Sequence, residues 1–155
     1  MRLIVAMLLL IGAAWPALAQ DGHSGMVAGA SQVKWTPSPP FLPKGSMMAV
    51  LAGDPSKAGP FVIRLKMPAN YKVPAHHHSM VENVTVLSGS FHAGMGDKLD
   101  AKKAATFGPG GFASIPAKMN HYAWSSKETV IQIEGEGPFD IEYVNPADDP
   151  SKQTS

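Results

Sequence analysis

The 155-residue chain contains no cysteine. A thiol nucleophile, a thiolate metal site and a redox disulfide are therefore excluded, and any site chemistry must use nitrogen and oxygen groups. Excess charge is missing too: 13 basic against 12 acidic residues give a formal +1, with no basic block anywhere. Nucleic-acid binding thus has no electrostatic support. No internal repeat is visible, which excludes a duplicated two-barrel arrangement. Only one long apolar run exists, at residues 3–14, and it falls short of the roughly 20 residues that a membrane span needs.

That run follows Met1-Arg2 and leads into Trp15-Pro16-Ala17-Leu18-Ala19, where Ala17 and Ala19 supply the small residues of an A-x-A cleavage site. Residues 1–19 read as a secretory signal peptide, so a secreted or periplasmic protein is expected, with no membrane span left after cleavage. A single Arg rather than a pair favours general export as an unfolded chain, with any metal acquired afterwards. A small exported domain without disulfides must draw its stability from its core, from a metal or from a partner subunit.

What the chain has in quantity is punctuation: 15 Gly and 14 Pro interrupt long helices. Residues 20–31 are small, polar and Gly-rich, and read as a flexible lead-in in which His23 is a solvated bystander. From Gln32 onward, about ten short β-branched or aromatic runs alternate with turn residues at the roughly 8–12-residue spacing of a sandwich or barrel. Gly53-Asp54-Pro55 with Gly59-Pro60, Ser88-Gly89-Ser90 and Gly108-Pro109-Gly110-Gly111 mark hairpins, hence antiparallel pairing. Thr129, Gln132 and Glu134 are expected on a wet face opposite Val130, Ile131 and Ile133, as are Asp140 and Glu142 opposite Phe139, Ile141 and Tyr143. Residues 97–105 fit a short helical turn or a mobile loop. An all-β, single-domain barrel over residues 32–144 is expected, followed by a polar, Pro-broken, disordered tail at 145–155.

The chemically informative stretch is Pro74-Ala75-His76-His77-His78-Ser79-Met80-Val81-Glu82. In an extended strand, His76 and His78 share one face and His77 takes the other, so two imidazoles converge on one point. Glu82 opens the next strand, and a bend near Ser79-Met80 brings its carboxylate back. His121, at the start of its own strand, is well placed as a fourth group. Taken singly, each has a plainer reading: a sticky histidine patch, a surface strand glutamate, a hydrogen-bonded core histidine.

Together the spacings resemble the cupin superfamily. His76-x-His78, three residues, Glu82, six residues and Gly89 match the first cupin motif at every position but its initial Gly, where Asn70 stands. Asn tolerates positive φ, so that turn is expected to survive. Gly110, Pro116 and His121 match the second motif, with Lys118 replacing its second Gly and Ser125 its Asn. The resemblance spans residues 70–125.

That resemblance implies a double-stranded jelly-roll barrel holding one divalent first-row transition metal through His76, His78, Glu82 and His121. Ligand type permits iron, manganese, zinc, copper or nickel; affinity order favours copper and zinc, and the family leans toward iron or manganese. It further implies a small-molecule ligand or substrate, and homodimerisation through edge strands is a family habit. Phe91, His92, Met95, Tyr122 and Trp124 are candidates to line the pocket, with His92 and Tyr122 as candidate catalytic groups. The leading expectation is a metal-dependent enzyme with dioxygenase-type chemistry on a small oxygenated organic compound, ahead of isomerase or decarboxylase activity. The alternative is a non-catalytic periplasmic protein that binds a metal or small ligand.

Overall fold

A computed structural model describes residues 29–153, so the signal segment, His23 and most of the lead-in lie outside the described residues. Among the described residues, no helix is long and apolar enough to cross a membrane. Short strands dominate because apolar residues recur every second position between Gly- and Pro-bearing turns. The strands are β1 (Thr36–Pro37), β2 (Met47–Ala52), β3 (Gly59–Met67), β4 (Lys72–His77), β5 (Glu82–Ser88), β6 (Phe91–Met95), β7 (Ala105–Phe107), β8 (Phe112–Ile115), β9 (His121–Ser125), β10 (Thr129–Gly137) and β11 (Glu142–Tyr143). They form two antiparallel sheets, ordered β1-β2-β3-β10-β5-β8 and β11-β4-β9-β6-β7.

The two sheets face one another over a shared core. Phe61, Ile63, Leu65 and Met67 of β3, Val84 and Val86 of β5, and Ile131 and Ile133 of β10 point inward from the larger sheet. Val73, Phe91, Ala93 and Ala123 answer from the smaller one. This is the expected jelly-roll.

Three local expectations are corrected. Residues 33–35 are not a strand; pairing starts at Thr36–Pro37, where Pro37 has no N–H to extend a ladder, and Ala30–Gln32 makes a 3-10 turn instead. Thr129 is fully buried rather than wet, because its hydroxyl accepts the Ser90 N–H at 2.9 Å and donates to the Lys127 carbonyl at 2.8 Å. The tail is ordered as far as residue 153: Asn145 and Asp149 cap two 3-10 turns, Pro146–Asp148 and Pro150–Lys152, each with Pro preset at its first position. Residues 97–104 form a loop with a turn at Asp100 to Lys103, and it covers Tyr122, whose hydroxyl donates to the Asp100 carbonyl at 2.9 Å.

Both departures from the cupin glycines keep the glycine conformation. Asn70 and Lys118 each sit at φ 62°. The Lys118 N–H donates to the His78 carbonyl at 2.8 Å, and the Asn70 N–H to the Ser125 carbonyl at 2.8 Å. Ser125 holds that turn further by donating its hydroxyl to the Pro68 carbonyl at 2.6 Å. Gly89 is obligatory: at φ +90° any Cβ would lie 2.4 Å from the Glu128 carbonyl oxygen.

Candidate metal centre

The site begins with an irregularity in β4. Val73 pairs with Ala123, yet His76 pairs with His121, so β4 carries one more residue than β9 between the two pairs. This bulge at Pro74-Ala75 resets the alternation. Val73 faces the interior, and without the bulge His76 would face away from it; with it, Val73, His76 and His78 all line the same internal cavity. Proline suits the bulge because no ladder bond is asked of its nitrogen.

His76 and His121 are therefore direct cross-strand partners in the smaller sheet, with ring centroids 4.2 Å apart. His78, just past the end of β4, lies 5.0 Å from His76 and 5.3 Å from His121 by the same measure. One ring nitrogen from each of the three falls within 4.8 Å of the others. Glu82 arrives from the opposite sheet, where it pairs with Ile115. Its Oε2 lies 3.3 Å from Nε2 of His121 and 3.6 Å from Nε2 of His78. All four side chains are buried.

Each imidazole is fixed from behind. Nδ1 of His76 donates to the Pro74 carbonyl at 2.6 Å, Nδ1 of His121 to the Met119 carbonyl at 2.9 Å, and Nδ1 of His78 to the Asp140 carbonyl at 2.5 Å. A carbonyl can only accept, so each neutral ring carries its proton on Nδ1 and presents a bare Nε2 lone pair. Nε2 of His78 is buried with no hydrogen-bond partner. An orphaned buried nitrogen is costly unless something else occupies it, and the donor set suits a borderline divalent ion.

Electrostatics favour that donor state at His76, whereas at His78 they favour the protonated ring. Burial, reinforced by the neighbouring His121 and His78, pushes the His76 pKa down to about 3, so it stays neutral. Burial would raise Glu82, but His121 and His78 outweigh it and hold the carboxyl well below its ordinary range, so it is ionised. Burial would lower His78, yet Glu82 and the Asp140 carbonyl together leave it raised.

Around the cluster lies a cavity of about 240 Å³ with overwhelmingly apolar walls. Phe139 stacks on the His78 ring at 4.3 Å and packs against Phe61. Asp140, whose carbonyl holds His78, also accepts the Ser79 N–H and hydroxyl on Oδ1, both at 2.7 Å. Its role was not visible in the sequence, where it read only as the wet side of a strand.

The structure does not bring the other sequence candidates into the cavity. His92, Tyr122 and Trp124 follow inward-facing Phe91, His121 and Ala123, so alternation turns them to the outer face. There His92 stacks on Trp124 at 4.8 Å and bonds Thr106, Ser126 and Ser90. Tyr122 lies across Gly94, where a Cβ would come 2.5 Å from its hydroxyl. Met95 is half exposed outside the cavity lining, and only Phe91 of that group lines it. His77 points outward to Asn120 and Glu142.

A two-sheet jelly-roll with a histidine and glutamate cluster inside its barrel defines a cupin. More particularly, a family model described as the ChrR cupin-like domain matches residues 23–140, and the chain belongs to that family. Among similar solved structures is the polyketide cyclase RemF from Streptomyces resistomycificus, with 18% identity, a TM-score of 0.67, and 81% of this chain and 89% of that one covered. A candidate acetylacetone dioxygenase from Methylibium petroleiphilum has 19% identity, a TM-score of 0.63, and coverage of 83% and 86%. A cupin-2 domain protein from Rhodospirillum rubrum has 14% identity, a TM-score of 0.58, and coverage of 80% and 82%. At these identities the likeness shows the fold alone. No curated protein matches the chain.

Proposed function

We propose that this chain is an exported, metal-dependent enzyme acting on a small oxygenated organic compound, with dioxygenase-type chemistry at a centre held by His76, His78, His121 and Glu82. The observation that carries the reading is the common fixing of three imidazoles by backbone carbonyls, which aims three bare Nε2 atoms and one carboxylate at a single buried point. When bound, a divalent ion supplies Lewis acidity, and a redox-active one also supplies electrons to O₂. The chain's own residues do the rest. Glu82 provides the single negative charge, His76 stays neutral, and Asp140 holds His78 in its tautomer. Apolar walls around the cluster exclude water. Two proteins of similar fold fit this reading: one is a polyketide cyclase and another a candidate acetylacetone dioxygenase.

The test is elemental analysis of residues 20–155 purified without a histidine tag, with an anaerobic sample in parallel, followed by oxygen uptake with diketones, phenols and thiols. About one redox metal per chain with substrate-dependent uptake supports the reading; absence of stoichiometric metal ends it. N-terminal sequencing of the exported protein checks cleavage after Ala19.

A second reading is an envelope protein that captures a metal or small ligand without turning it over. It is favoured by one observation: among the described residues, and apart from the cluster, Asp140 is the only ionisable side chain lining the cavity, and its Oδ1 already accepts from Ser79. Stoichiometric metal with ligand binding and no turnover would establish it.

A further inference from the structure

The cavity walls restrict the occupant. Among the described residues that line it there is no Lys, Arg, Asn, Gln, Tyr or Trp. Ile63, Leu65, Ile131 and Ile133 from one sheet face Val73, Ala93 and Ala123 from the other. The two polar side chains away from the cluster, Ser56 and Asp140, are exposed at the mouth, where Ser56 donates its hydroxyl to Asp54 at 2.7 Å and Asp140 accepts from Ser79 on Oδ1. A charge or hydrogen-bonding group held against the apolar walls between the cluster and the mouth would therefore lose its water and find no partner, a large penalty. The volume of about 240 Å³ lies below the roughly 300–1,000 Å³ typical of drug-sized ligands.

The cluster limits the other end of the ligand. Three neutral imidazoles and one ionised carboxylate around a divalent ion leave a single net positive charge at the base of an apolar pocket. One negative charge on the incoming group neutralises it, whereas two leave an uncompensated charge out of water.

We propose that the cavity selects a small compound with an apolar body and one neutral or monoanionic oxygen-bearing head at the cluster, and rejects compounds with a second, remote charge. Sugars, phosphate esters, amino acids and dicarboxylates are excluded, and enolisable ketones, phenols and short monocarboxylates fit. This rests on the metal reading above.

The test uses three probes that share one head: acetohydroxamate, benzohydroxamate and 4-carboxybenzohydroxamate. Each is titrated calorimetrically into protein loaded anaerobically with iron(II), and in parallel with zinc(II), and metal content is read before and after. Benzohydroxamate is expected to bind on the order of tenfold or more tighter than acetohydroxamate, since its ring is buried. The 4-carboxy analogue is expected to bind no better than acetohydroxamate. Ala93→Leu, which fills the cavity between the sheets, should cut the preference for the ring at least several-fold. Should that variant fail to fold, Ile133→Ala enlarges the cavity and should bind 4-tert-butylbenzohydroxamate at least several-fold tighter than the parent chain does. Equal binding of the carboxylated and plain rings by metal-replete protein overturns this inference alone, as does failure of all three probes to bind metal-replete protein. Substoichiometric metal overturns the metal reading, and this inference with it.

Discussion

His76 and His121 face each other directly across the β4–β9 pair, with ring centroids 4.2 Å apart. Two strands distant in sequence thus deliver two imidazoles to one point with no loop involved. The extra residue at Pro74-Ala75 makes the pairing an inward one. Sites on sheet strands are held more closely than sites on loops, and here the backbone also supplies the carbonyl that orients each ring.

Exchanging His78 for Ala should abolish stoichiometric metal and remove the metal-dependent rise in melting temperature, worth about 2.7 kcal/mol when free metal is 100 times Kd. His77→Ala should change metal content little, because His77 points outward to Asn120 and Glu142. Elemental analysis and thermal unfolding with and without metal check both. Equal loss in the two variants would mean a merely sticky histidine run.

Asp140→Ala should lower stability by about 1–2 kcal/mol, since the Ser79 N–H and hydroxyl lose their acceptor. It should also weaken metal binding by roughly tenfold or more, because the carbonyl behind His78 loses its anchor. Asp140→Asn, which keeps an acceptor oxygen, should restore most of both. A competition titration against a metallochromic dye separates affinity from stability.

Lys118→Gly should raise stability by roughly 0.5–1 kcal/mol, because a Lys at φ 62° carries a backbone penalty that Gly does not. Chemical denaturation at pH 7 is the measurement. A loss would show that the Lys118 side chain makes a contribution greater than its strain.

Burial raises the Tyr71 pKa above its ordinary 10, even with the Ser46 hydroxyl drawing it back. A group with a raised folded pKa lends stability that is fully present below the unfolded value and lost as pH climbs through the folded one. Melting temperature should therefore fall as pH rises above about 10. Tyr71→Phe should flatten that fall while costing about 1 kcal/mol at neutral pH, since the hydroxyl donates to the Pro43 carbonyl at 2.6 Å. Tyr143, raised by burial as well, leaves a residual slope.

Much of the barrel was legible because its determinants are local: Gly and Pro turns, and apolar residues at every second position. The four cluster residues were legible as a spacing, since a strand of period 2 puts His76 and His78 on one face. The bulge that decides which face was not, because nothing in Pro74-Ala75 announces a pairing partner far along the chain. For the same reason His92, Tyr122 and Trp124 looked like pocket residues: adjacency to a motif does not say which side of a strand a residue takes. Thr129 and the tail misled through composition, as polar residues whose hydrogen bonds are satisfied within the fold read like solvated ones. Asp140 carried no signal, since its effect on His78 passes through a backbone carbonyl that every residue has.

Three members of the cluster belong to strands or strand ends of the smaller sheet, and the fourth, Glu82, opens a strand of the larger one. The gap of 3.3 Å between Glu82 and His121 is thus also a gauge of how closely the two sheets are seated. A chain with only the smaller sheet assembled offers three imidazoles and no carboxylate. The complete donor set exists only where the two sheets are seated together, so an ion that requires all four groups reports on that seating.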